Sequence, residues 1–315
     1  MVSPSPLADR LREGDIRALA RAISLVEDES PQAAPLVAAL YPFTGRAWTI
    51  GVTGPPGAGK STLVDRLAAA LRTTDATVGV LAVDPTSPFT GGAVLGDRVR
   101  MQGHAGDAGV FIRSMATRGH LGGLARATTE AALLLDAAGR DYVIIETVGV
   151  GQDEIDVVRS ADVCVVTLVP GSGDEVQALK AGIMEIADIF VVNKADRDGA
   201  ERMVAAIESV LGLQAFPPDA WRPPVLKTEA TKGAGIDALV AALAQFRART
   251  ADLVQERRRA RSEFRLRELL AGAFMQRVAA TLPPEDLERL ADEITDRTTD
   301  PYSAAARVLA RVCGS

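Results

Sequence analysis

The sequence predicts an α/β fold in which a mostly parallel sheet carries a phosphate-binding loop, with helices before and after it. Three observations predict this. From Trp48 onward, short runs rich in Val, Ile and Leu alternate with longer Ala/Leu-rich stretches of helical period, the pattern of successive βαβ units. A Gly-rich segment ending in Lys60-Ser61-Thr62 follows the first of those runs directly. After Gly235 the strand signal stops, and the remaining sequence is helical in pattern.

Taken in order, residues 1–46 read as a helical extension of one or two short helices. Leu11, Ile16, Leu19, Ile23 and Val26 recur at helical spacing, and Pro31 and Pro35 act as breaks. A nucleotide-binding domain is predicted over 47–248, with strands at 48–53, 78–84, 142–146, 163–169 and 189–193 and a weaker one at 225–228. All but the last are nearly continuous in β-branched and aliphatic residues, as strands covered on both faces should be. Helices are predicted at 60–71, 121–138, 175–186 and 199–211. A helical arm follows over 249–315, punctuated by Pro283-Pro284. Its basic run, Arg257, Arg258, Arg259, Arg261, Arg265 and Arg267, reads as a solvated helix face with Glu256, Glu263 and Glu268 in preference to a phosphate stripe.

Bulk composition narrows the function. The 315 residues carry a net charge of −6 spread along the chain, which argues against a nucleic-acid partner. No apolar run approaches the ~18 residues of a membrane span, so no membrane association is expected. The start, MVSPSPLADRLREGD, lacks the basic and apolar regions of an export signal. Cys164 and Cys313 have no partner spacing, and a cytoplasmic location is the expectation. Cys164, inside an apolar run, reads as inert core, and His104 and His120 have no ligand companions. Of 35 basic residues only five are lysines, Lys60, Lys180, Lys194, Lys227 and Lys232, so each marks a place where a guanidinium would not serve.

Gly54-Pro55-Pro56-Gly57-Ala58-Gly59-Lys60-Ser61-Thr62 fits G-x-x-x-x-G-K-[ST] between a strand and a helix. Backbone N–H groups freed by the glycines can turn around phosphates, the helix start adds its positive dipole end, and Lys60 reaches the β/γ oxygens. Ser61 offers a hydroxyl to Mg²⁺. These features predict a nucleoside triphosphate site.

After the run at 189–193 stands Asn193-Lys194-Ala195-Asp196, at the C-terminal sheet edge where such folds bind nucleotides. A carboxylate at Asp196 accepts from the ring N–H and exocyclic amine that guanine presents, whereas adenine would leave it unpaired. GTP and GDP are therefore favoured over ATP. Thr228, Glu229 and Ala230, after Lys227, supply a loop over the base.

The strand at 142–146 ends in Glu146-Thr147-Val148-Gly149. Here a carboxylate can hold the metal through water, and the Gly149 N–H can bond the γ-phosphate and release it after hydrolysis. Asp84, ending the second strand, and Asp97, in the loop that follows, are further candidates for the same Mg²⁺; an ordinary loop-initiating Asp before Pro is the alternative for Asp84. Asp174, Gln177 and Lys180 fall on one helical face in 170–180, either a third switch or an ordinary capped helix. No arginine finger is evident, so intrinsic hydrolysis is expected to be slow, with Arg98 and Lys180 as candidates to assist it.

The segments ETVGVGQDE, DPTSPFTGGAVLGDRVRM, FIRSMATRGHLGGLA and PGSGDEVQALKAGI resemble those of the MeaB/ArgK group, the G-protein chaperones of adenosylcobalamin-dependent methylmalonyl-CoA mutase. The resemblance extends from about residue 10 into the C-terminal helices. It implies a SIMIBI-class P-loop GTPase that is homodimeric through its C-terminal arm and couples slow GTP hydrolysis to cofactor loading and protection of an adenosylcobalamin-dependent acyl-CoA mutase. It also implies a metal site at Ser61, Asp84, Asp97 and Glu146 and a guanine site at Asn193, Lys194 and Asp196. This chain has Asp153 where the family usually has Ser. Two other readings are a P-loop kinase using ATP, which Asn-Lys-x-Asp opposes, and a metal-insertion GTPase, which the scarcity of His and Cys opposes.

Overall fold

The computed structural model describes residues 6–84, 101–104, 106–116, 123–147, 161–171, 183–217 and 220–314. They divide into two compact units, Met1–Val254 and Gln255–Ser315.

The first unit is built on a seven-stranded, wholly parallel sheet of order β3-β2-β4-β1-β5-β6-β7. The strands are β1 (Trp48–Thr53), β2 (Val78–Asp84), β3 (Val110–Ala116), β4 (Tyr142–Glu146), β5 (Val163–Leu168), β6 (Ile189–Asn193) and β7 (Val225–Thr228). The α/β class is the predicted one. The six expected strands are present, and β3 is an addition at the edge. Its sequence, VFIRSMA, mixes Arg and Ser into an apolar run. An edge strand needs only one fully buried face, so it lacks the continuous hydrophobic signature of its inner neighbours.

Before the sheet come three helices where one or two were expected: α1 (Pro6–Arg12), α2 (Ile16–Glu27) and α3 (Ala33–Leu40). Gly14 adopts φ +86 after α1. Asp15 then caps α2, its carboxylate accepting from the N–H groups of Arg17 and Ala18, a cap worth about 1 kcal/mol. This break interrupts a hydrophobic period that otherwise looks continuous. Leu11, Leu19, Ile23, Leu36 and Leu40 pack with Leu134 and Leu135 of α5 (Gly123–Ala137) and with Phe111, Met115, Val143 and Ile145 of the sheet. At the edge Arg113 of β3 pairs with Glu27 of α2 and also donates to the Ser24 hydroxyl at 3.1 Å. The N-terminal helices therefore share a core with the sheet.

The opposite face is covered by α4 (Lys60–Arg72) and α8 (Ile236–Arg249), with Leu63, Val64, Leu67, Leu239 and Phe246 against Ile50, Val52, Ile144, Val165 and Val191. Burying each such Leu or Phe contributes about 1.5–3 kcal/mol. On the first face α7 (Ala200–Gly212) seals β5 and β6 through Met203, Ile207 and Leu211; the short α6 (Ile183–Ile186) leads into β6. Cys164 lies in this layer, and burial pushes its thiol well above the ordinary cysteine range, so it is no nucleophile.

The connection into β1 is fastened from below. Asp136 of α5 is buried and accepts from the backbone N–H groups of Gly45, Arg46 and Ala47 at 2.5, 3.2 and 2.9 Å. Asp136→Ala would strand the buried Ala47 donor and leave the N–H groups of the exposed Gly45 and Arg46 to water, a loss of about 1–3 kcal/mol. Urea denaturation of the full chain should show a lower midpoint with an unchanged slope. A midpoint within experimental error of the parent would show that the three amides do not need the carboxylate.

The second unit comprises α9 (Val254–Thr281) beyond its first residue, α10 (Pro284–Thr295) and α11 (Pro301–Cys313). Its interior is small, formed by Val278, Leu282 and Val312 with Phe274 and Val308. Asp286–Arg311 at 2.6 Å and Glu293–Arg307 at 2.5 Å link α10 to α11. Leu266, Leu270, Met275, Leu287, Tyr302 and Leu309 remain exposed. Among the described residues no helix is long and apolar enough to cross a membrane.

Candidate nucleotide-binding site

The phosphate loop leaves β1 at the C-terminal edge of the sheet and enters α4. Gly54, Gly57 and Gly59 take φ values of +141, +76 and +83, which turn the loop's peptides inward as L side chains rarely permit. Lys60, the first residue of α4, is buried and donates from Nζ to the Gly54 and Pro55 carbonyls at 2.7 and 3.1 Å. Its ammonium is thus held against the loop that would wrap a phosphate chain. Ser61 donates its hydroxyl to Glu146 Oε1 at 2.6 Å. Both are buried, and the contact joins α4 to the end of β4. Thr62 follows in the first turn of α4.

The base-side loops close on the same place. Asn193, at the end of β6, donates from Nδ2 to the Ala58 carbonyl at 2.9 Å. Its Oδ1 accepts from the Thr228 hydroxyl at 3.0 Å and the Ala230 N–H at 3.2 Å. A carbonyl can only accept and an N–H can only donate, so the orientation of this amide is fixed by its partners. Lys194 reaches the Gly57 carbonyl at 2.8 Å and has φ +55, a left-handed conformation costing a non-glycine residue about 1–2 kcal/mol. That conformation opens the turn in which Asp196 stands exposed to solvent. Glu229 pairs with Lys232, and this hydrogen bond, followed by the attraction of the Glu229 and Asp196 charges, raises the Lys232 ammonium above its ordinary value. The loop carrying Ala230 is closed by a bridge between Glu229 and Ala234 and held to α4 by Arg66, which donates to the Thr231 carbonyl at 3.1 Å.

A sequence model of the MeaB family, described as the methylmalonyl-CoA mutase-associated GTPase MeaB, matches residues 19–282. The chain belongs to this family of GTPases. A Pyrococcus abyssi protein named as a GTPase is 47% identical to it, over 98% of this chain and 96% of its own length. The GTPase ArgK of Escherichia coli is 41% identical over 78% of each chain. Among solved structures, one named an LAO/AO transport system kinase is 29% identical, with a TM-score of 0.74 over 96% of this chain and 95% of its own. Membership in the MeaB family carries GTP and GDP as the nucleotides.

The fold brings Gly54 to Thr62, Glu146, Asn193, Lys194, Asp196 and Thr228 to Ala230 to one edge of the sheet. Asp84 ends β2 at the same edge, in register with Ala116; only its backbone is described. Asp97, Arg98, Gly149 and Lys180 lie outside the described residues. Among the described residues no three His, Cys, Asp or Glu side chains assemble into a metal cluster.

Two features were not read from the sequence. Asn193 is a structural junction between three loops as well as a member of the base motif, because its partner Ala58 lies 135 positions away. Thr147, which stands in Glu146-Thr147-Val148-Gly149 without a role assigned to it there, and Thr53 are buried side by side at the ends of β4 and β1. Their only sequence signal is a hydroxyl at the end of each of two apolar strands.

Proposed function

We propose that this chain binds GTP, hydrolyses it slowly to GDP and phosphate, and through that cycle serves an adenosylcobalamin-dependent acyl-CoA mutase, methylmalonyl-CoA mutase, in cofactor loading and protection. The observation that carries the nucleotide part of this reading is the Asn193 junction, which links the base-side loops to the phosphate loop through a single amide. The mutase follows from the family description, and the guanine preference from Asp196.

In this reading the loop amides and Lys60 hold the β- and γ-phosphates, while Asp196 accepts from the guanine edge and the Ala230 loop covers the base. Ser61 and Glu146 offer hard oxygen donors 2.6 Å apart in a buried setting, a donor set that suits Mg²⁺ with nucleotide phosphates and water completing the shell. Bound there, the ion supplies neutralisation of phosphate charge. Asp84 and Asp97 complete the proposed carboxylate set. Gly149 reads the γ-phosphate, and Arg98 or Lys180 assists hydrolysis.

We assign residues 1–46 to an N-terminal extension, 47–248 to the GTPase domain and 249–315 to a dimerisation arm. Support for the arm comes from Leu266, Leu270, Met275, Leu287 and Leu309, exposed on helices whose own core is small. A second copy of the chain is the proposed cover, in a cytoplasmic homodimer.

Calorimetric titration with GDP and with ADP in Mg²⁺ buffer tests the site. GDP is expected to bind tightly and ADP to show no measurable heat. Asp196→Ala should weaken GDP by about a hundredfold, since it removes the carboxylate that accepts from the guanine edge, and hydrogen bonds to a charged group contribute about 1.5–3 kcal/mol each. The solved relative is named as a kinase, and on that alternative ADP would bind as well as GDP or better. Such an outcome would displace the GTPase reading in favour of an ATP-dependent one.

A further inference from the structure

We propose that Thr147 is a positioning residue for the metal-binding carboxylate Glu146, acting through its hydroxyl bond to Thr53. The inference rests on the GTPase reading of the site and adds to it a residue to which that reading gives no role.

Thr147 follows Glu146 directly. Strands β1 and β4 run in parallel register, with Val52 opposite Glu146. One step further, the Thr147 N–H donates to the Val52 carbonyl at 3.0 Å, carrying the ladder past the last paired residue. The Thr147 hydroxyl then donates to the Thr53 hydroxyl at 2.9 Å. Thr53 and Thr147 are 2% and 1% exposed, so the bond has no competing solvent. Successive side chains in a strand point to opposite faces. Glu146 faces α4, where it meets Ser61, and Thr147 faces the other side of the sheet.

The peptide bearing the carboxylate is therefore braced from behind, and the brace ends on the residue that opens the phosphate loop at Gly54. A shift of the β4 terminus away from β1 would break both Thr147 bonds together. Holding it sets the distance between Glu146 and Ser61, the two described donors of the metal site.

The test reads Mg²⁺ coupling and does not depend on turnover. GDP affinity is measured by calorimetry in EDTA and across a Mg²⁺ series for the parent and for Thr147→Val, Thr147→Ser and the double variant Thr53→Val with Thr147→Val. Valine keeps the shape of threonine and removes the hydroxyl. Replacing both partners leaves no buried orphan, so the double variant guards against a simple folding defect. Thr147→Val and the double variant are expected to need about tenfold more Mg²⁺ for half of the full gain in GDP affinity, corresponding to about 1.4 kcal/mol. GDP affinity in EDTA should change less than twofold, and Thr147→Ser should match the parent. Parent-like Mg²⁺ dependence in both valine variants would overturn the proposal, as would a loss of thermal stability without a change in Mg²⁺ dependence. A parent whose GDP binding ignores Mg²⁺ would overturn the reading of the site, and this inference with it.

Discussion

Gly54→Ala is expected to destabilise the chain by more than about 4 kcal/mol, a large share of the net stability of about 5–15 kcal/mol that a folded domain has. A Cβ built on Gly54 would sit 1.9 Å from the Thr167 carbonyl oxygen, 2.9 Å from its carbon and 3.2 Å from its nitrogen. All three atoms are backbone of β5, a strand buried at every position and paired on both sides, to β1 and β6. Neither strand can move aside without breaking ladder bonds and the packed layers on both faces. The φ of +141 adds a conformational penalty that only glycine escapes. Gly57 provides the contrast within the same loop. It has φ +76 but nothing within 4 Å of a built Cβ, so Gly57→Ala should cost only the dihedral strain of about 1–2 kcal/mol. Circular dichroism and thermal melts of the two variants measure the gap. A Gly54→Ala protein that melts within a few degrees of the parent would show that the β1–β5 approach is looser than the structure has it.

The steric difference between these two glycines illustrates what the sequence carries and what only the fold supplies. The sequence shows Gly54, Gly57 and Gly59 as three glycines of one phosphate loop, Gly54 and Gly59 at the fixed positions of the pattern and Gly57 between them, with nothing to tell their surroundings apart. Which one abuts a neighbouring strand depends on the order β4-β1-β5, which no local pattern specifies. The inner strands were legible because burial on both faces makes them continuous in Val, Ile and Leu. The edge strand β3 was not, since Arg113 could be spent on pairing with Glu27 of the N-terminal layer. That pairing also explains why residues 1–46 read as an extension and yet pack into the core. Their apolar period was visible, but its partner surface on α5 and β3 was not. The base motif showed itself through residue types at fixed spacing, and the lysine scarcity pointed to the same loops. Three of the five lysines, Lys60, Lys194 and Lys232, have their described polar contacts there.

Asn193 joins the same loops through Ala58, Thr228 and Ala230, and Asn193→Ala is expected to weaken GDP by about a thousandfold while Asp196 remains in place. The substitution removes three bonds at once. It leaves the Thr228 hydroxyl and the Ala230 N–H as orphaned donors in a buried setting, each costing about 1–3 kcal/mol, and detaches the Ala58 carbonyl from the base side. A total near 4 kcal/mol on the binding-competent arrangement corresponds to roughly three decades in affinity. Asn193→Asp separates the two halves of the junction. Its carboxylate still accepts from Thr228 and Ala230, but it sets an anionic oxygen against the Ala58 carbonyl, so the base-side loop should survive while the phosphate loop is pushed away. Gly59 makes the same point from the other side of the contact, since a Cβ there would lie 2.5 Å from Asn193 Nδ2. If the amide is the coupling element, Asn193→Asp and Gly59→Ala should both lose GDP affinity by at least tenfold. Their unliganded stability should fall less than that of Asn193→Ala. Calorimetry with GDP and urea denaturation of the three variants give both quantities. GDP binding within twofold of the parent in Asn193→Ala would mean that the two loops are positioned independently, and that the base motif acts on guanine without reaching the phosphates.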